Sequence, residues 1–166
     1  MYLNNYQYIK KNETFSLLFL ILISIFVRIP IIILYGDTSL ENEWKVIVDN
    51  LVVHGTLSFR NLDGYLLPNL FMPPLYAIYL YCFSFLNFDE INYIRLILTS
   101  QILLSSISVL VFYEINKNFF SKKLSFYSSL FFSLFPLHVY ACSQISSISL
   151  QTFLTILSFY FFFFKS

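Results

Sequence analysis

Apolar and polar positions along the chain fall into long blocks. A polar start, Met1 to Thr14, gives way to an apolar run from Phe15 to Tyr35 that carries a single charge, Arg28. As a helix this run is about 31 Å long, enough to cross the hydrocarbon core of a bilayer. Three later runs, Ile91 to Ile115, Leu124 to Ala141 and Ile148 to Phe164, have the same character. Each falls in or close to the range of roughly 17 to 25 residues that a spanning helix needs. The pattern therefore predicts four transmembrane helices, over 15–35, 91–115, 124–141 and 148–164.

Residues 36–90 form the one long mixed stretch. Leu40, Trp44, Ile47 and Leu51 recur at helical intervals, Thr38 and Glu41 have capping-box spacing, and Gly55 is placed to end the helix. This predicts an amphipathic helix over about 39–54, lying at the membrane surface with Trp44 at headgroup level. Thr56 to Met72 reads as a loop. Pro73-Pro74 then opens an apolar run to Phe88; proline suits a first helical turn, so a second helix is expected over 73–88, too short to cross and therefore interfacial.

Lysines orient these elements. Lys10 and Lys11 place residues 1–14 in the cytoplasm, so 36–90 becomes a large external loop. If 73–88 does not cross, Lys117, Lys122 and Lys123 fall in a cytoplasmic loop, 116–123; if it crosses, they lie outside. The first arrangement obeys the positive-inside preference and is adopted, with 142–147 as an external turn. The expected fold class is all-α: a polytopic membrane protein with about four transmembrane helices plus juxtamembrane interfacial helices. No small-x-small cleavage site follows the first run, which reads as an uncleaved span. The sequon Asn12-Glu13-Thr14 is cytoplasmic on this topology and a chance match.

Composition agrees with this class. Of 166 residues 58% are hydrophobic and 11% charged, against about a quarter charged in soluble domains. A net charge of +1 argues against a nucleic-acid surface. Cys82 and Cys142 sit in apolar runs, as buried thiols do, and His54 and His138 have no metal-ligand spacing, so no metal cluster is expected.

Few charges lie within the runs. Arg28, near the end of its span and followed by Pro30, either snorkels or faces a polar cavity. Arg95, in the outer half of the next span, is either functional or paired with Asp89 or Glu90. Asp37, Glu41 and Glu43 gather at the membrane surface, where they either do chemistry or favour the positive end of the following helix. Ser105, Ser106 and Ser108 suit close helix packing.

An arginine late in the first span, an acid just beyond it, an amphipathic helix ending NLVVHG, and then PPLY together resemble the GT-C glycosyltransferases. The closest likeness is to the branch of the protein O-mannosyltransferases and the bacterial transferase that adds aminoarabinose to lipid A. Arg95 in INYIRLIL and Pro136 in LFPLHVY are also similar to features of that branch. Family members have many more spans, so the resemblance implies the N-terminal part of such an enzyme or a truncated relative.

It also implies sugar transfer at the external face of a bacterial plasma membrane. The donor would be a polyprenyl-phosphate-linked sugar, and the acceptor a lipid, glycan or protein. A carboxylate serves as base and cations stabilise the leaving phosphate. The base falls on Asp37 if the likeness is anchored on the end of the span and on Glu41 if it is anchored on the helix, with Glu43 a further competitor. Arg28, Arg60, Arg95, Pro73, Pro74 and Tyr76 are the donor-binding candidates, Tyr76 having a membrane anchor as its alternative. Met72 stands where the family often has a cation, and the turn CSQISSIS lacks the family's second acid. No protein-held cofactor is implied; a divalent ion carried with the donor phosphate is compatible with the reading. A non-catalytic small membrane subunit or scaffold is the competing class.

Overall fold

A computed structural model describes residues 2–40, 42–62, 65–68, 72–86 and 88–164, the side chains of 2–12, 42 and 60–62 excepted. The fold is mostly helical. Its helices are α1 (Tyr2–Tyr35), α2 (Asn42–His54), α3 (Pro74–Ser84), α4 (Glu90–Asn116), α5 (Lys122–Leu134), α6 (Pro136–Ala141) and α7 (Ile148–Phe164). α4 is the hub, packing against α1, α3, α5 and α7.

Among the described residues two helices are long and apolar enough to cross a membrane: the part of α1 from Glu13 to Tyr35, and α4. The polar start of the chain continues the same helix as the first apolar run. α7 is apolar but shorter. Large side chains such as Phe15, Phe26, Ile33, Phe131 and Phe162 point outward, which suits a hydrocarbon surrounding better than water.

Small residues let these helices approach closely. Ser125, Ser129 and Ser133 form a buried stripe along α5 at helical spacing. The Ser125 and Ser129 hydroxyls donate to the carbonyls of Ser121 and Ser129's own preceding turn, Ser125, so neither needs a partner on another helix. On α4 the buried serines do more than pack. Ser105 and Ser106 bond to other helices, as described below, while Ser108 bonds the Leu104 carbonyl of its own helix.

At the end where α4 finishes, Lys117 pairs with Glu13 of α1 and with Glu114 at 3.1 Å, and Lys122 pairs with Glu13 at 3.0 Å. Burial alone would lower the Lys117 pKa, but hydrogen bonds to Glu13 and Glu114 outweigh it and the net shift is upward. This cluster ties α1, at Glu13, to the end of α4 and the start of α5.

Two expectations are corrected. The stretch read as a loop contains a hairpin, β1 (Ser58–Leu62) antiparallel to β2 (Tyr65–Pro68), so the chain is not purely α. Leu62 pairs with Tyr65, and the two residues between them in the sequence are Asp-Gly, the composition that a two-residue hairpin connection favours. Secondly, the run 124–141 is not one helix. Pro136 has no N–H to give and biases the residue before it away from the helical region, so Phe135 is extended (φ −63°, ψ 119°) and α5 ends there. α5 alone, about 20 Å long, falls short of a bilayer core.

The mixed stretch folds over one end of the bundle. Leu40, just before α2, and Val48 of α2 enter a core shared with Tyr76 and Leu80 of α3, Ile94, Ile97 and Leu98 of α4, and Ile145, and Ile47 of α2 is also fully buried. Fully burying Ile47 is worth roughly 1.5–3 kcal/mol. Gly55 ends α2 with φ 66°, its N–H donating to the Leu51 carbonyl at 3.1 Å, a left-handed position that other residues adopt at a cost.

Candidate functional site

Two polar groupings lie on the α1 side of this core, one at the end of α1 and one inside the bundle.

At the end of α1, Asp37 crosses to the α6–α7 turn. Its backbone N–H donates to the Ser143 carbonyl (3.0 Å), and its Oδ2 accepts the Ile145 N–H at 2.6 Å. Beside it, Gln144 Nε2 donates to the Tyr35 carbonyl (2.8 Å), one of the carbonyls α1 leaves unpaired at its C-terminus. The 142–147 turn, which lacks an acid of its own, is thus bound to the acid that follows α1. An ionised carboxylate has about four acceptor positions, so one backbone bond leaves Asp37 acceptor capacity.

Tyr76 supports the same turn from below. It is 1% exposed, packed edge-on against Trp44 (centroids 4.8 Å apart) and stacked on Tyr79 (5.5 Å). Its hydroxyl donates to Gln101 Oε1 (3.2 Å), and Gln101 Nε2 donates to the Gln144 carbonyl (3.0 Å). Burial pushes the phenol well above its usual pKa, so it stays a donor. Tyr76 therefore holds the turn that holds Asp37, a buried position unlike that of a membrane anchor. Pro73 and Pro74 start α3 and so set where Tyr76 enters the core. Tyr76→Phe is expected to cost about 1 kcal/mol, the worth of one hydrogen bond, in thermal unfolding of the detergent-solubilised protein. Tyr76→Ala would cost about 3–5 kcal/mol through the cavity it leaves.

Inside the bundle, Arg28 is fully buried. Its Nε donates to Ser105 Oγ (2.8 Å), and its Nη1 donates to the carbonyls of Ser24 (2.8 Å) and Ser133 (3.1 Å). The Ser133 contact follows from the break at Phe135. The helical ladder resumes only where Val139 N–H donates to the Phe135 carbonyl, which leaves the Ser133 carbonyl to the guanidinium. Ser105 also meets His138 Nε2 (3.0 Å), whose ring stacks on Phe132 (4.4 Å), and Ser24 Oγ donates to Ser106 Oγ (3.1 Å). Arg28 Nη2 has no hydrogen-bond partner among the described residues, nor does any carboxylate there pair with the guanidinium. Arg28 does not snorkel; it is buried and bonded to polar groups of α1, α4 and α5.

The other candidates are more scattered. Glu43 is half-buried early in α2, and Glu41 lies outside the described residues. Arg60 is in β1, its side chain outside the description. Arg95 is exposed, and of its two readings the pairing with Asp89 or Glu90 is not seen: Asp89 accepts from Asn92, and Glu90 pairs with Lys45 at 3.7 Å. Among the described residues no group of three His, Cys, Asp or Glu could hold a metal ion. Burial pushes the Cys142 thiol up to about 11, so it carries no thiolate near neutrality.

Sequence reasoning missed Gln101, Ser105 and the backbone of 143–145 as parts of the site. The available signal was a glutamine and a serine four residues apart, hence on one face of an apolar helix.

Comparison with protein-family models, with curated proteins and with solved structures finds no match to this chain.

Proposed function

We propose that the chain acts in a membrane glycosyltransferase of the GT-C kind, moving a sugar from a polyprenyl-phosphate donor to an acceptor at the external face. In this reading α1, α4 and α7 span the bilayer, α5 and α6 cross it together as one broken span, and α2 and α3 lie at the surface. The observation that carries the proposal is Asp37: a carboxylate just past the C-terminal end of a bilayer-length helix, braced by Ile145 N–H and able to accept another hydrogen bond.

In the proposed step the acceptor hydroxyl gives its proton to Asp37. Its oxygen bonds to the anomeric carbon, the bond from that carbon to the phosphate oxygen breaks, and polyprenyl phosphate leaves with the electron pair. Arg28 and the exposed Arg95 are the cations that would stabilise the leaving phosphate. The competing scaffold reading draws on the same contact, since Asp37 also serves as a clamp between α1 and the 142–147 turn.

Membranes from cells expressing the chain would be supplied with polyprenyl-phosphate mannose or aminoarabinose, radiolabelled in the sugar. The expected result is label moving from the lipid to an acceptor with inversion at the anomeric carbon. Label that stays on the lipid as it does in control membranes, for both donors, overturns the proposal.

A further inference from the structure

Charge is segregated along the molecule. Lys10, Lys11, Lys117, Lys122 and Lys123 belong by chain position to the end where α1 begins and α4 finishes, and among the described residues Glu13 and Glu114 are the acids that oppose them. α7 ends there too, since Phe163 packs on Phe119 at 5.0 Å. The other seven acids all lie between Asp37 and Glu90.

At this positive end a groove of about 370 Å³ opens between Glu13 and Ser16 of α1, Tyr113 of α4, and Lys122, Lys123 and Tyr127 of α5. Glu13, its one acid, is engaged by Lys117 and Lys122. Lys123 is exposed and has no ion pair among the described residues, so it leaves positive charge uncompensated. From the lysines an apolar track runs along α5: Leu124, Tyr127 and Phe131, three and four residues apart and hence on one face, are 50%, 55% and 72% exposed. A cationic head site continuous with an exposed apolar track has the shape of an amphiphile.

We infer that this groove binds the headgroup of an anionic phospholipid. Its phosphodiester is held by Lys122 and Lys123, and its acyl chains lie along Leu124, Tyr127 and Phe131. The volume lies within the range of small-molecule sites, and a soluble anion would have no use for the track. On the proposed topology this end faces the cytoplasmic leaflet, whose anionic lipids attract such lysines. The inference rests on that membrane placement and not on sugar transfer, which variants in this groove are expected to leave unchanged.

The test is native mass spectrometry of the chain in a neutral detergent, titrated with phosphatidylglycerol or phosphatidylcholine. Phosphatidylglycerol is expected to be retained preferentially. Lys123→Gln should weaken it roughly five-fold and K122Q/K123Q roughly thirty-fold, while Lys45→Gln at the opposite end changes nothing. Lys123→Gln removes no ion pair seen here and so reads the site even if the double variant fails to fold. Equal retention of both lipids, indifference to Lys123→Gln, or displacement of phosphatidylglycerol by equimolar inorganic phosphate would each overturn the inference.

Discussion

Arg28→Met is expected to leave the protein about as stable as the parent while abolishing sugar transfer. The two effects have different physical origins. A buried guanidinium with no carboxylate partner and an unpaired Nη2 among the described residues carries a desolvation penalty of several kcal/mol that its hydrogen bonds only partly repay. Methionine has a comparable reach and no charge. It removes that penalty and leaves the Ser133 carbonyl without its donor, a loss of about 1–3 kcal/mol. The terms oppose each other, and the midpoint of thermal unfolding in detergent should move by no more than about 3 °C.

A cation kept in an apolar bundle at no gain in stability is kept for another purpose. On the proposed function that purpose is the leaving phosphate, and the Met variant should transfer at least about a hundred-fold more slowly. Arg28→Lys sharpens the test. It keeps the charge but not the planar fork that reaches Ser105 and Ser133 together, so it should lose both stability and activity. A Met variant that unfolds far more readily yet transfers normally would make Arg28 a brace for the Phe135 break and nothing more.

Much of the architecture was legible in the sequence because the forces behind it are local or periodic. Block hydrophobicity marks α1, α4 and α7, and the apolar spacing around Trp44 and Ile47 marks α2, although the helix starts at Asn42 rather than near residue 39 and Leu40 is buried just before it. Pro136 falls within the apolar run 124–141, and its missing N–H and its effect on Phe135 are local facts that foretell a break in it. The hairpin has its own local signal in the Asp63-Gly64 pair of the sequence, set within the mixed stretch.

The site itself was only half legible. Arg28 and Asp37 stand out as charges at the edge of an apolar run, but what each touches lies elsewhere in the chain: Arg28 reaches Ser133, and Asp37 reaches Ile145, across separations of 105 and 108 residues. A pattern read along the chain has no access to such pairs, and a turn of serines gives no sign that its backbone N–H will meet a carboxylate. Gln101 escaped for a related reason. One polar residue in a hydrophobic helix is ambiguous until the carbonyls of residues 142 and 144 are seen beside it.

Asp37→Asn separates the clamp from the base. An asparagine oxygen can still accept the Ile145 N–H, so only the charge-assisted part of that 2.6 Å bond is lost, and stability should fall by about 0.5–1.5 kcal/mol. The amide cannot take a proton from an acceptor hydroxyl, so transfer should fall by a factor of about 10²–10⁴. Asp37→Ala should match that loss of activity but destabilise by about 1–3 kcal/mol, because the Ile145 N–H then has no acceptor. The pair therefore reads the two roles independently: stability distinguishes Asn from Ala, and activity does not. Glu41→Gln and Glu43→Gln, measured alongside, are expected to retain most of the transfer. If one of them instead loses it while Asp37→Asn remains active, the base lies on that glutamate and Asp37 is only the clamp. If all three amides transfer as the parent does, none of these acids is the base, and the scaffold reading of the segment gains what the enzyme reading loses.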